Sequence, residues 1–304
     1  MAFTAKDVKE LREKTGCGMM DCKKALTASD GDMEKALDFL REKGLAAATK
    51  KAGRIAAEGV AYAEISADGK VGVAIEVNAE TDFVAENAQF KDFVKTCADT
   101  VLEQNPADVE ALLQCKASGT DKIVDALLKE KIQTIGENIK IRRFARIEGH
   151  VASYIHAGGK ICTLVNFDTT DEIAAKPEFS EMGKNVGMQV AAMSPEYLDD
   201  AHVPAEVVER EKKIASEQAA ASGKPANVIE KMVVGKVKKT LKEICLVDQE
   251  YVKEGKQSVG QYIDSVGKTL GGKITATGFI RFVKGEGLEK RQDNFAEEIA
   301  NMVK

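Results

Sequence analysis

Glu76-Val77-Asn78-Ala79-Glu80-Thr81-Asp82-Phe83-Val84-Ala85-Glu86-Asn87 is the stretch on which the fold turns. Ahead of it, Val71, Val73, Ile75 and Val77 alternate with small or polar residues, the period-two pattern of a half-buried strand. Behind it, Val84, Phe90, Phe93, Val94 and Cys97 recur at helical spacing. Thr81 or Asp82 is placed to cap that helix, because a side-chain oxygen accepts from first-turn amides that have no partner within the helix. Phe83 then falls at a strand-to-helix turn, where periodicity leaves two readings open. Its ring either folds into the core, as most phenylalanines do, or projects as an anchor for a partner.

The rest of the composition narrows the class. A chain of 304 residues, 44% hydrophobic and 31% charged, is an ordinary globular sequence long enough for two or more domains. With no tryptophan and 5% aromatic residues, its cores must be built from Ala, Val, Ile and Leu. A formal net charge of -5 with both signs interspersed argues against a nucleic-acid surface, which needs a concentrated positive field. Lys50-Lys51, Arg142-Arg143 and Lys238-Lys239 are isolated basic pairs and poor candidates for phosphate binding.

No apolar run approaches the roughly 18 residues that span a bilayer. Met1-Ala2-Phe3-Thr4-Ala5-Lys6-Asp7 lacks the apolar segment of a secretion signal, so a cytoplasmic location is expected. Cys17, Cys22, Cys97, Cys115, Cys162 and Cys245 are scattered along the chain and are expected as free thiols. Cys17 and Cys22 lack the second pair or histidine cluster that a zinc site needs, and neither metal nor cofactor is expected. There is no glycine-rich phosphate loop after a strand, no His-Glu-x-x-His and no nucleophile elbow. Three histidines in all leave few general bases. An interaction protein without chemistry of its own fits this inventory better than an enzyme.

Residues 4 to 43 read as three short helices. Thr4 with Asp7 makes a capping-box-like start, Val8 and Leu11 begin an apolar stripe, and Gly16 and Gly18 break the chain before Met19-Met20. Asp30-Gly31-Asp32 is a turn and cap for a third helix striped by Met33, Ala36, Leu37 and Leu40 and stopping near Gly44. The forty residues suit a bundle of the ubiquitin-associated type. Met19 and Met20 are either core filler or an adaptable binding surface, since thioethers are flexible and polarizable.

Two motifs carry a family resemblance. Asn78-Ala79-Glu80-Thr81-Asp82-Phe83-Val84, together with Leu11-Arg12, Thr15-Gly16-Cys17-Gly18-Met19-Met20-Asp21-Cys22-Lys23-Lys24-Ala25-Leu26 and Gly31-Asp32, closely resembles the elongation factor Ts family. That resemblance implies a nucleotide-exchange factor for the GTPase elongation factor Tu. It implies contact positions on that partner at Thr81, Asp82, Phe83 and Val84, and in the N-terminal module at Arg12, Met19 and Met20. With no catalytic constellation legible and a net negative charge, the chain itself is expected to bind neither nucleotide nor nucleic acid, and a 2:2 complex with the GTPase is left open.

An Ala/Lys-rich segment over residues 45 to 58 has high helix propensity but a weak apolar face, which places a domain boundary near residue 55. Beyond it the sequence repeats itself. Val60-Ala61-x-Ala63, Gly69-Lys70 and Thr81-Asp82 are matched by Val151-Ala152-x-Tyr154, Gly159-Lys160 and Thr170-Asp171. The offsets are 91 (151 minus 60), 90 (159 minus 69) and 89 (170 minus 81) residues, and Phe90 and Phe179 keep the last spacing. Two copies of a hairpin-plus-helix unit are expected, each with an antiparallel sheet.

Residues 106 to 139 between the copies look helical, ending in Ile135-Gly136-Glu137-Asn138-Ile139. Gly136 reads as a helix C-cap; the resemblance instead makes Ile135 and Gly136 contact positions. His156, at the tip of the second hairpin, has no catalytic constellation legible around it, and the resemblance sets it against the partner. The family usually reads Gly-Val where this chain has Cys162-Thr163, which puts the packing of that strand in question.

Residues 203 to 246 read as an antiparallel helical hairpin turning at Ser222-Gly223-Lys224-Pro225, matching the family's coiled-coil insertion. Thr275 to Val283 alternates as a closing strand, and Leu288, Phe295, Ile299 and Met302 stripe a C-terminal helix. The expected fold is thus α+β: an N-terminal three-helix module and linker (1–55), a core N-subdomain (56–145), a core C-subdomain (146–285) carrying the inserted hairpin, and a C-terminal helical module (286–304).

Overall fold

The structure, a computed structural model, describes residues 3–220 and 225–290. The expected C-terminal helix beyond residue 290 and the hairpin turn at residues 221–224 lie outside the described residues. The architecture is α+β, with helices leading into two small antiparallel sheets.

Helices α1 (Ala5–Thr15), α2 (Met19–Ala28) and α3 (Met33–Lys51) form the N-terminal bundle. Thr4 and Asp7 exchange backbone hydrogen bonds in a capping box, and Asp32 caps α3 by accepting from the Glu34 and Lys35 amides at 3.0 and 3.1 Å. Leu11, Cys22, Ala25, Leu26 and Ala36 fill a core of their own. Helix α3 does not stop at Gly44 but runs on to Lys51. Gly44 is there for packing: a Cβ at this position would meet Gln133 Oε1 at 2.7 Å, so the missing side chain lets α3 lie close against a core helix.

The repeat is realised element by element. In the first copy, β1 (Glu58–Ile65) and β2 (Val71–Ala79) lead to α4 (Asp82–Glu86) and α5 (Ala88–Gln104). Then α6 (Val109–Gln114) and α7 (Val124–Ile135) precede the third strand, β3 (Lys140–Glu148). In the second copy, β4 (His150–His156) and β5 (Ile161–Asp168) lead to α8 (Asp171–Ala174) and α9 (Pro177–Met193). The hairpin α10 (Ala205–Ala220) and α11 (Ala226–Ile244), then α12 (Val259–Leu270), intervene before β6 (Thr275–Val283). The sheets are ordered β1-β2-β3 and β4-β5-β6, antiparallel throughout. Even their irregularities repeat, with register shifts at Glu76/Val77 and Asn166/Phe167, 90 residues apart (166 minus 76).

Two local expectations differ. The helix after Asp82 is two helices, because Asn87 leaves helical geometry and its side chain accepts from the Gln89 amide at 2.8 Å, capping a second start. Residues 106 to 139 are likewise not continuous: Ser118-Gly119-Thr120 turns the chain between α6 and α7.

Strand β2 is buried along nearly its whole length rather than half-buried. One face, with Val73, Ile75 and Val77, packs on Phe90, Phe93, Val94 and Cys97 of α5. The other is covered by the second sheet through Ala61, Ala63, Ala74, Val151, Cys162 and Leu164. Small residues make that approach possible: a Cβ on Gly72 would lie 2.5 Å from Val151 Cγ1. Cys162 and Thr163 are both fully buried, with the Thr163 hydroxyl donating to the Gly187 carbonyl at 3.2 Å, so this pair fits the strand.

Glu76 closes the junction. It is fully buried on the face toward the second sheet, 2.7 Å from Arg143 Nε and 3.0 Å from Arg142 Nη1. The Gly285 amide, just past β6, donates to it at 2.8 Å and Asn78 Nδ2 at 3.1 Å. Burial pushes its carboxyl pKa up, but these hydrogen bonds outweigh burial and hold it below the ordinary carboxylate value. Arg142 and Arg143 are therefore clamps for a buried carboxylate. Arg143 also stacks over the Phe282 ring at 4.3 Å.

Within α10 and α11 only Ala215, Ala219 and Val237 are buried, so the hairpin projects its flanks into solvent. Among the described residues no helix is long and apolar enough to cross a membrane.

Candidate partner-binding site

Phe83 sits in the first turn of α4 with 85% of its surface exposed, although it is among the largest apolar side chains in the chain. The next residue, Val84, is 8% exposed and packed in the first core. The two readings of Phe83 thus resolve by a helical geometry that turns adjacent side chains to different sides. Thr81, not Asp82, is the cap: its hydroxyl accepts from the Val84 amide at 3.4 Å. Asp82 is exposed beside Phe83.

The loop that presents Phe83 is held by Glu137, whose role the sequence reading did not find. One carboxylate oxygen of Glu137 accepts from the Glu80 and Thr81 amides, both at 3.0 Å. The other accepts from the Thr81 hydroxyl at 2.7 Å. The clasp is reciprocal, since Glu80 Oε1 accepts from the Asn138 amide at 2.6 Å. Asn138 Nδ2 in turn donates to the Arg54 carbonyl at 2.8 Å, drawing in the chain that leaves α3.

Gly136 ends α7 with φ +90°, a left-handed conformation that favours glycine. It is exposed, and nothing lies within 4 Å of where a Cβ would stand. C-cap and open surface therefore coexist at this residue. Ile135 is half-buried against the first core. Because Glu137 follows directly, Gly136 and the Phe83 loop are held as neighbours.

The β4–β5 hairpin tip supplies a further wall. Gly158, Gly159 and Lys160 line a cleft of about 410 Å³ together with Asp82, Phe83 and Glu86. The tip is pinned to the first sheet by the Ala61 amide, which donates to the Gly159 carbonyl at 2.8 Å. His156 is exposed at the base of this tip, its Nδ1 3.0 Å from the Tyr154 hydroxyl. Four of the residues singled out in the sequence, Asp82, Phe83, Gly136 and His156, are thus exposed at helix and strand ends of the sheet core, and Thr81 and Val84 anchor the first of those ends.

Arg12, Met19 and Met20 lie apart, on α1 and α2. All three are exposed, the methionines at 46% and 62%, so they are surface rather than core filler. Their bundle rests on the side of α7: Gly16 faces Thr134, and Lys51 Nζ donates to the Ile132 carbonyl at 3.2 Å. Helix α7 therefore carries the bundle on its flank and Gly136-Glu137 at its end.

Comparison with known proteins places the chain in a family. Residues 80–286 match the family model described as Elongation factor TS. The Elongation factor Ts of Trichlorobacter lovleyi is 51% identical, covering 99% of this chain and 98% of the relative. Those of Clostridium perfringens and Clostridioides difficile are 50% and 47% identical, each covering 99% of both chains. The chain belongs to the elongation factor Ts family.

Proposed function

We propose that the chain acts in translation elongation as a guanine nucleotide exchange factor. It binds elongation factor Tu, promotes release of GDP and stabilises the empty GTPase until GTP enters. The observation that carries this reading is the exposure of Phe83 in a turn whose preceding amides, Glu80 and Thr81, are held by Glu137 and whose next residue, Val84, is buried in the first core. An isolated apolar ring held rigidly in solvent has no use in the free chain and suits an interface anchor, which loses little conformational freedom on binding.

No bond chemistry is required of the chain. A factor that binds the empty GTPase more tightly than the nucleotide-bound form must weaken nucleotide binding by the same free energy, because coupling between two ligands is reciprocal. In this account Phe83 wedges into the GTPase and disturbs its magnesium and phosphate site. Asp82 and Gly136 meet the same surface, His156 and the β4–β5 tip flank it, and Arg12, Met19 and Met20 dock separately on the nucleotide domain.

The test is release of labelled GDP from elongation factor Tu. The rate is expected to rise with added chain and then saturate. Calorimetry on the chain alone is expected to give no heat with GDP. A tight nucleotide site on the isolated chain, or an unchanged release rate, would count against the reading.

A further inference from the structure

We propose that Glu137 is a positioning residue for exchange: it holds the Thr81-Asp82-Phe83 turn in place and joins it to Gly136, so that both reach the partner as one rigid surface. The inference rests on the exchange reading and adds a residue to it that touches no nucleotide and need not touch the GTPase. Its basis is the clasp. Both carboxylate oxygens of Glu137 are spent on one short loop, at 3.0, 3.0 and 2.7 Å from Glu80 N, Thr81 N and Thr81 Oγ1. Hydrogen bonds to a charged acceptor are stronger and more directional than neutral ones. The Thr81 hydroxyl donates to the Glu137 carboxylate, which can only accept, while its oxygen accepts from the Val84 amide, so one side chain links the clasp to the first turn of α4.

Among the described residues, no other side chain accepts from the Glu80 and Thr81 amides. The return bond from the Asn138 amide to Glu80, at 2.6 Å, ties the strand end back to the segment after α7. Arg54 Nη1 lies 3.4 Å from the same glutamate oxygen, with its side chain about half exposed. Without Glu137 the two amides and the hydroxyl would turn to water, and the first turn of α4 would lose the support beneath Phe83. A small misplacement of a group that must act at one point on a partner is enough to lose on the order of a hundredfold in rate.

A positioning role and a merely structural one differ in two readouts. In Glu137→Ala, hydrogen exchange at the Glu80 and Thr81 amides is expected to quicken while the β2 amides stay protected. Stimulated GDP release is expected to fall about tenfold, and that loss is expected to shrink to within about threefold when Phe83 is already alanine, since coupled residues are non-additive. Glu137→Gln is expected to recover most of the rate, because its carbonyl oxygen still accepts from both amides and its amide nitrogen meets the hydroxyl. If Glu137→Ala does not fold, Glu137→Asp, which withdraws the carboxylate by one methylene, carries the same cycle with Phe83→Ala. Equal losses in both backgrounds, or an unaltered rate with Glu137→Ala, would overturn the proposal. Failure of the unsubstituted chain to stimulate release would instead overturn the exchange reading itself.

Discussion

Phe83 and Val84 are adjacent apolar residues with opposite environments, and they make opposite forecasts. Val84→Ala removes buried atoms from the first core and is expected to cost about 2 kcal/mol of stability. Phe83→Ala opens no cavity, because the ring is 85% exposed; stability is expected to stay within about 0.5 kcal/mol. Stimulated GDP release is expected to drop about thirtyfold, the effect of losing on the order of 2 kcal/mol at an interface anchor. Denaturant melts and release rates on the same samples check both. A large fall in Phe83→Ala stability with normal exchange per folded molecule would return the ring to a core role. Periodicity leaves the anchor as one of two alternatives, since a strand-to-helix turn does not say which way a ring points; the resemblance to the elongation factor Ts family is what favours it in the sequence. Glu137 was not visible at all. It is one of 49 acidic residues, and its contact lies 56 residues back along the chain, with no local pattern to mark it.

Elements built from local chemistry were the ones legible in sequence. The capping box at Thr4, the cap at Asp32, the Gly69-Lys70 and Gly159-Lys160 turns and the paired Thr-Asp helix starts all depend on residues within a few positions of one another, and all are found. What sequence did not reveal depends on neighbours far along the chain. Alternation in β2 reads as one wet face because Gly72, Ala74 and Glu76 are small or charged, yet a second sheet covers that face. Gly44 reads as a stop, yet it is a contact point for α7. The capping box of Ser258 with Gln261 and the stripe of α12 that follows were also present in the sequence but lay between stronger signals. Gly72→Val tests the sheet-to-sheet contact. The added methyls have no room beside Val151 and Leu164, so a loss of about 1–3 kcal/mol is expected from overpacking. An unaffected denaturation midpoint would mean that the two sheets are not tightly apposed.

The sheet core is two copies of one unit joined across small residues and fastened at Glu76. Glu76→Ala leaves two guanidiniums without their carboxylate and is expected to cost about 3 kcal/mol at neutral pH, the low end for a broken buried pair, because Arg142 and Arg143 remain 22% and 32% exposed. The acid dependence has a definite sign. With a folded pKa below the unfolded one, Glu76 contributes stability that is present above about pH 4.3 and lost as the pH falls through its folded value. Glu76→Gln is therefore expected to show a shallower loss of stability on acidification, read from denaturant midpoints between neutral pH and pH 3. The N-terminal bundle has its own core and meets the rest along α7. A chain lacking residues 1–54 is expected to keep a folded sheet core while binding elongation factor Tu weakly and exchanging poorly. Undiminished exchange by that chain would remove Arg12, Met19 and Met20 from the working surface.

The account as a whole rests on linkage, and one comparison of affinities reaches it directly. Titrating the chain onto nucleotide-free and onto GDP-loaded elongation factor Tu gives two dissociation constants. The exchange account predicts that the first is smaller, by a factor on the order of 100 for a typical coupling, and that saturating chain weakens GDP binding by that same factor. Equal affinity for the two forms of the GTPase would contradict it, however tightly the chain binds.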